Sequence, residues 1–195
     1  LKELNLLRNN IISDNGIRYL FSKNVSLDLL NLELNELITS RSLPYMSNIR
    51  VLNLSNAIFF NDDLRNLRNI ESLYLFNQNF LNNHSFISLG ESLKELILPY
   101  SMMVDDNLLY YLKKINLLDL SSTSNITDQG LEYIKNTIKF LILPQCHKIT
   151  TQGIDKLKKI KYLDLSFNNN ISEDYYKEKL ENDIYIVNFK INLFD

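Results

Sequence analysis

Apolar residues return along this chain in a fixed figure. Leu or Ile stands at the first, fourth and sixth positions of a short run, as at Ile115, Leu118 and Leu120. Aligned on that figure, units begin at Leu1, Leu27, Ile49, Ile70, Leu93, Ile115, Ile138, Ile160 and Ile184. The intervals run from 21 to 26 residues, regular enough for one supersecondary unit per repeat and too short for a pair of helices. Leucine fills the fourth and sixth positions from Leu4 and Leu6 through Leu163 and Leu165, and only the ninth unit departs, with Val187 and Phe189.

The first half of each unit alternates with a period of two, which predicts a strand: Leu118 and Leu120 share one face, and Leu117, Asp119 and Ser121 the other. The second half predicts a short helix. Thr127 or Asp128 can cap it, and Leu131 and Ile134 lie three apart on one helical face. Parallel strands need such a crossover. Strands stack roughly 4.8 Å apart and helices roughly 8–10 Å apart, so the strands take the inside of an arc. The fold class is therefore α/β: a right-handed solenoid, or horseshoe, with a concave parallel sheet of about nine strands and short helices on the convex side. At that strand spacing the inner surface is on the order of 40 Å long. Residues 1–195 form one domain.

Within the second halves, Ile12-Ser-Asp-Asn-Gly-Ile17, Ile126-Thr-Asp-Gln-Gly-Leu131 and Ile149-Thr-Thr-Gln-Gly-Ile154 recur in register. With the leucine figure, they resemble leucine-rich repeats of the cysteine-containing kind found in F-box substrate receptors and the ribonuclease-inhibitor-like group. The family cysteine stands only at Cys146; the same slot holds Asn9, Asn35, Ala57, Gln78, Ser101, Thr123, Asn168 and Asn192. A polar side chain there can satisfy backbone groups stranded where the chain leaves the ladder. Ala57 cannot, and its unit is the shortest, so an irregular turn is expected after the third strand. The first unit, the longest, is expected to enlarge its helix or loop around Phe21 to Ser26.

Parity places the third, fifth and seventh residues of each unit on the open face of the sheet. Tyr74, Phe76, Ile97, Leu117, Phe140, Ile142 and Tyr162 then form an apolar and aromatic patch flanked by Tyr100 and Phe167. An exposed cluster of this kind marks a protein interface. Asp119 and Asp164 interrupt it and join Glu3, Glu33 and Glu95 against Lys190 alone, so the groove is weakly acidic.

Composition narrows the function. Net charge is −2 over 195 residues, which lacks the basic excess that neutralises phosphates, so no nucleic-acid partner is expected. The lysines gather where helices end, as at Lys113, Lys114, Lys135, Lys158 and Lys159, a placement that helix C-termini favour. The lone cysteine excludes an intrachain disulfide and fits a reducing, cytoplasmic setting. No run is long and apolar enough for a membrane span. Gly16, Gly90, Gly130 and Gly153 stand singly, no spacing suggests metal ligands, and Cys146 beside His147 makes a poor nucleophile and base. No catalytic residue, cofactor or metal is expected.

The ends are also informative. Leu1 to Leu6 reads as a strand with one side open, which predicts a preceding repeat or domain. Ile184 to Phe189 is apolar on both faces, an edge that could mediate association. The reading is a non-catalytic module gripping a protein partner on its concave sheet, and the family resemblance implies a substrate receptor of an F-box-type ubiquitin ligase. The alternative is the targeting domain of an enzyme or pathogen effector whose catalytic domain lies elsewhere.

Overall fold

A computed structural model describes residues 1–57, 63–180 and 184–187. Each unit contributes one strand of three residues, covering its third to fifth positions. The strands are β1 Glu3–Asn5, β2 Leu29–Asn31, β3 Val51–Asn53, β4 Ser72–Tyr74, β5 Glu95–Ile97, β6 Leu117–Asp119, β7 Phe140–Ile142, β8 Tyr162–Asp164 and β9 Tyr185–Val187. They pair in sequence order as one open parallel sheet. The crossovers are helical: α1 Asp14–Ser22, α2 Asp106–Tyr111, α3 Asp128–Ile134, α4 Thr151–Ile154 and α5 Glu173–Leu180, with 3-10 segments at Ser40–Met46, Asp63–Asn66 and Asn83–Leu89. Pro44 lies inside the first of these. Having no N–H, proline cannot continue an α-helical ladder.

The leucine figure is the core. Leu30, Leu32, Leu52, Leu54, Leu118 and Leu120 are fully buried, as are Ile126, Leu131 and Ile134 from the crossover above β6. Thr127 caps α3 by accepting from the Gln129 N–H. At the N-terminal end Leu4 and Leu6 are only partly covered.

One turn follows nearly every strand. The eighth residue of each of the first eight units (Arg8, Leu34, Asn56, Asn77, Tyr100, Ser122, Gln145 and Phe167) has φ between 56° and 63°, although none is glycine. The ninth residue's N–H donates to the sixth carbonyl, as from Asn9 to Leu6, Thr123 to Leu120 and Asn168 to Leu165. A 6-to-9 bond with a left-handed eighth residue has the features of a type II turn. The cost of about 1–2 kcal/mol for a left-handed side chain is offset because the eighth N–H extends the ladder. Those of Arg8, Leu34, Asn56, Tyr100, Ser122 and Gln145 reach the next unit's seventh carbonyl at 2.8–3.1 Å.

The ninth side chain then ties the units together. Asn35 Nδ2 donates to the Leu6 carbonyl at 2.8 Å, Cys146 Sγ to Leu120 at 3.2 Å and Asn168 Nδ2 to Leu143 at 2.7 Å. Each bond runs one unit back, to the sixth residue. Ala57 has no donor, yet its turn keeps the common geometry: Asn56 is left-handed and the Ala57 N–H reaches Leu54. Gln78 of the next unit donates to both the Leu54 and Ala57 carbonyls, which holds that turn from outside. The expected irregularity is therefore absent through Ala57, and residues 58–62 lie outside the described residues.

The ninth strand corrects the register of the last repeat. Tyr185 pairs with Tyr162 and Ile186 with Leu163, so Ile186 is the inward fourth residue and Tyr185 the outward third, one position earlier than a unit opening at Ile184. With apolar residues on both faces, alternation could not fix the parity of this strand. Phe189, Lys190 and Asn192 fall outside the described residues, as does the end of the Ile184 to Phe189 edge.

Candidate functional site

The open face of the sheet carries the expected residues, and the structure sorts them by what each touches. Leu117, Phe140, Tyr162 and Tyr185 hold the third position of four consecutive strands and form one continuous apolar ridge. Tyr162 and Tyr185 stack at 5.4 Å between ring centroids with planes 17° apart. Phe140 is 37% exposed, large for a strand residue flanked on both sides. Sequence reasoning missed Tyr185, because a unit opening at Ile184 puts Ile186 at the outward third position, the register slip above.

Further along, Tyr74 and Ile97 are half-buried fifth residues of β4 and β5. Phe76 and Tyr100 lie at the sheet's turn edge, 43% and 49% exposed, with rings edge to face at 5.5 Å. Phe167 occupies the turn after β8 and is left-handed like Tyr100. Burial and the nearby Glu95 push the Tyr74 hydroxyl above its ordinary value; burial, then Asp164, Tyr185 and Asp119, does the same at Tyr162. Both phenols stay neutral.

Asp119 and Asp164 play a different part. Asp119 accepts the Ser121 N–H at 2.9 Å, and Asp164 the Ser166 N–H at 2.9 Å, with each serine hydroxyl on the same carboxylate oxygen. Asn5, Asn31 and Asn53 accept the seventh N–H in the same way, from Leu7, Glu33 and Ser55. These are Asx turns that close the end of the strand. Among the first eight units, three lack an Asx at the fifth position. In two of them the seventh residue is Pro99 or Pro144, which has no N–H to satisfy; in the third, the Phe76 N–H goes to Ser55 Oγ. The signal was present in the sequence as the pairs Ile97 with Pro99 and Ile142 with Pro144. Asp119 and Asp164 are thus held by their own turns, flanking Ile142 across adjacent strands. Burial raises the Asp119 carboxyl above its ordinary range, with Asp164 adding to the effect.

Charges elsewhere are largely paired between units. Asp28 lies between Lys2 and Arg50 at 3.3 and 3.4 Å; Glu71 meets Lys94, Glu91 meets Lys113 and Lys114, and Glu132 meets Lys135 and Lys156. Lys113 and Lys114 lie past the last turn of α2 and Lys135 is the C-cap of α3, so carboxylates, more than helix ends, hold these cations. Lys135 and Lys156 pull the Glu132 carboxyl down to about 2. Cys146 is fully buried and burial pushes its thiol up to about 11, which removes it as a nucleophile. Among the described residues no group of His, Cys, Asp and Glu is placed to hold a metal ion, and no helix is long and apolar enough to cross a membrane.

The model of the family described as Leucine Rich repeat matches residues 1–21. A chain of the TLR13–ssRNA13 complex superimposes with a TM-score of 0.67 at 21% identity over 88% of this chain. The architecture is a leucine-rich repeat solenoid. A chain of the octameric complex of Latrophilin 3, Unc5D and FLRT2, in which FLRT2 is designated LRR, gives a TM-score of 0.52 at 17% identity over 72% of this chain. A chain of the Rad7 and Elc1 complex in yeast gives 0.50 at 17% over 97%. The chain spans 26%, 54% and 68% of those three in turn. No curated protein matches the sequence.

Proposed function

We propose that the concave face of this leucine-rich repeat solenoid binds a protein partner, with the ridge Leu117–Phe140–Tyr162–Tyr185 as its anchor. The observation that carries the reading is that ridge: four adjacent apolar side chains on the open side of the sheet, at positions the fold does not need to be apolar. Aromatic side chains give large contact area for little lost rotamer freedom, and they dominate binding energy when a partner excludes water from them. Tyr74, Phe76, Ile97, Tyr100, Ile142 and Phe167 extend the surface, while Asp119 and Asp164 contribute charge from fixed turns. A protein is favoured over a polynucleotide because Glu3, Glu33, Glu95, Asp119 and Asp164 line the same face, and carboxylates repel a phosphate backbone.

Photo-crosslinking from a benzoylphenylalanine at position 140 tests this in an extract of the native host. The expected product is a discrete protein adduct, lost when Tyr74, Phe140 and Tyr162 are replaced by Ser in a parallel capture. Equal capture by that triple variant, or recovery of nucleic acid alone, would refute the reading. The finer form, a substrate receptor of an F-box-type ubiquitin ligase, rests on the Ile126 to Leu131 resemblance and requires ligase subunits among the proteins captured by the longest natural form of the chain.

A further inference from the structure

The second residues of the units make a ladder of their own along the rim where the chain enters the sheet. The Asp28 N–H donates to the Lys2 carbonyl, Arg50 to Asp28, Glu71 to Arg50 and Lys94 to Glu71, at 2.8–3.0 Å. Charge alternates along these five units, and the side chains use it. Asp28 takes Lys2 and Arg50, and Glu71 takes Lys94 at 2.9 Å. The backbone ladder then continues through Asn116, Lys139 and Lys161 at 2.7–2.9 Å, but the alternation stops. A neutral residue and two neighbouring cations follow, immediately ahead of β7 and β8.

Lys158 and Lys159 bring two more cations to the approach to β8. All four lysines are exposed, and none meets a carboxylate among the described residues. The other described lysines each have a partner: a carboxylate, or the Tyr19 ring for Lys23 at 4.9 Å and the Asn125 amide oxygen for Lys148 at 3.4 Å. Helix ends do not account for the four. α3 ends at Ile134 and α4 at Ile154, and a helix dipole fades within its last turn. Nor does the sheet, since like charges side by side on paired strands are unfavourable. What the lysines adjoin is the apolar ridge. Lys139 precedes Phe140 and Lys161 precedes Tyr162, so cations border the ridge on its entry side, as Asp119 and Asp164 border it on the exit side. The two rows stand three residues apart along a strand, about 10 Å at ~3.3 Å per residue.

We infer that the partner meets this rim with an acidic segment: a stretch of polypeptide whose aspartates and glutamates cluster to one side of the apolar anchor that covers the ridge. The inference rests on the ridge being a protein-binding surface, and adds the partner's charge and its orientation. Lysines left without carboxylates in the free chain are available to those of the partner and steer its approach. The split of charge across the ridge selects the occupant. A polyanion charged along its whole length would reach over the ridge to Asp119 and Asp164 and be repelled there. A segment with its acids confined to one side meets only lysines.

Panning a random peptide library on the 195-residue chain tests this. Enriched sequences should carry aspartate or glutamate clustered to one side of an aromatic or aliphatic anchor, and a selected peptide, labelled with fluorescein, should bind more weakly as salt is raised. Lys161→Glu should weaken that binding by about tenfold or more. It should also raise the urea midpoint, by pairing with Lys139 as Glu71 pairs with Lys94, which separates lost binding from lost folding. Lys158→Gln with Lys159→Gln should weaken binding and leave the midpoint in place. Enrichment of basic or uncharged sequences, no enrichment, or a selected peptide indifferent to these lysine changes would overturn the acidic segment. Loss of that peptide with Tyr74, Phe140 and Tyr162 replaced by Ser would then leave the ridge reading standing, whereas indifference to this variant as well would remove both. A single-stranded RNA that binds as tightly as the peptide and is lost with Lys161→Glu would refute the choice of a polypeptide.

Discussion

Replacing Asn168 by Ala should destabilise the solenoid, while replacing Thr123 by Val, in the same slot two units earlier, should not. Asn168 Nδ2 donates to the Leu143 and Leu165 carbonyls at 2.7 and 3.1 Å, and both leucines are fully buried. Deleting the amide strands the Leu143 carbonyl at about 1–3 kcal/mol, removes one of three bonds to the Leu165 carbonyl, which keeps the Asn168 N–H and the Tyr176 hydroxyl, and leaves a small buried void. Asn168 Oδ1 is itself buried without a partner, so its removal returns a similar amount once. The net cost is about 1–2 kcal/mol, from the void and the lost tie between units. Thr123 Oγ1 is fully buried and unbonded; valine keeps the shape and removes the unpaired hydroxyl, a gain of about 1 kcal/mol. Urea unfolding followed by far-ultraviolet circular dichroism measures both. An alanine variant within about 0.5 kcal/mol of the parent, below the usual effect of such a loss, would refute the reasoning, and so would a valine variant as unstable as the alanine one.

Three further outcomes follow from the turns and the core. Asp119→Asn keeps an acceptor for Ser121, as Asn53 does for Ser55. Because burial raises the folded carboxyl above its ordinary 3.8, this group's contribution is most favourable below that value and is lost as pH rises through the raised one. Asp119→Asn should therefore be the more stable form near about pH 7 and lose its advantage near about pH 3, as read from denaturant midpoints at the two conditions. Pro144→Ala creates an N–H with no Asx acceptor and should cost about 1 kcal/mol; adding Ile142→Asn should restore most of it, and a double variant weaker than the single one would argue against the pairing. Cys146, with its thiol at about 11, should resist a disulfide reagent in the native protein and react promptly in urea; rapid native labelling would place it at the surface.

The fold was legible because the leucine figure reports two things at once, a period of two for strands and a constant interval for the stack. Every interior strand, β2 to β8, lies where the figure places it. The ninth could not be phased, because Ile184, Ile186 and Val187 make both faces of IYIVNF apolar and only pairing with Tyr162 and Leu163 decides. The concave positions of Tyr74, Phe140 and Tyr162 followed from parity alone. The roles of Asp119 and Asp164 did not, because an acceptor for the seventh N–H is invisible until the turn is known to be type II with its eighth residue left-handed. The lysines were likewise tied to helix ends, since carboxylates such as Glu91 and Glu132 come from other parts of the repeat and the neighbouring unit.

The coupling of fifth and seventh residues constrains how such a surface can change its specificity. An Asx at the fifth position cannot become apolar without stranding an amide, unless the seventh becomes proline or a neighbour lends a hydroxyl, as Ser55 does for Phe76. The recognition face is therefore written in two-letter words. A library that randomises single positions of it would fill with misfolded members, while one that swaps Asn-x-Ser for Ile-x-Pro as a block would explore new partners on an intact scaffold.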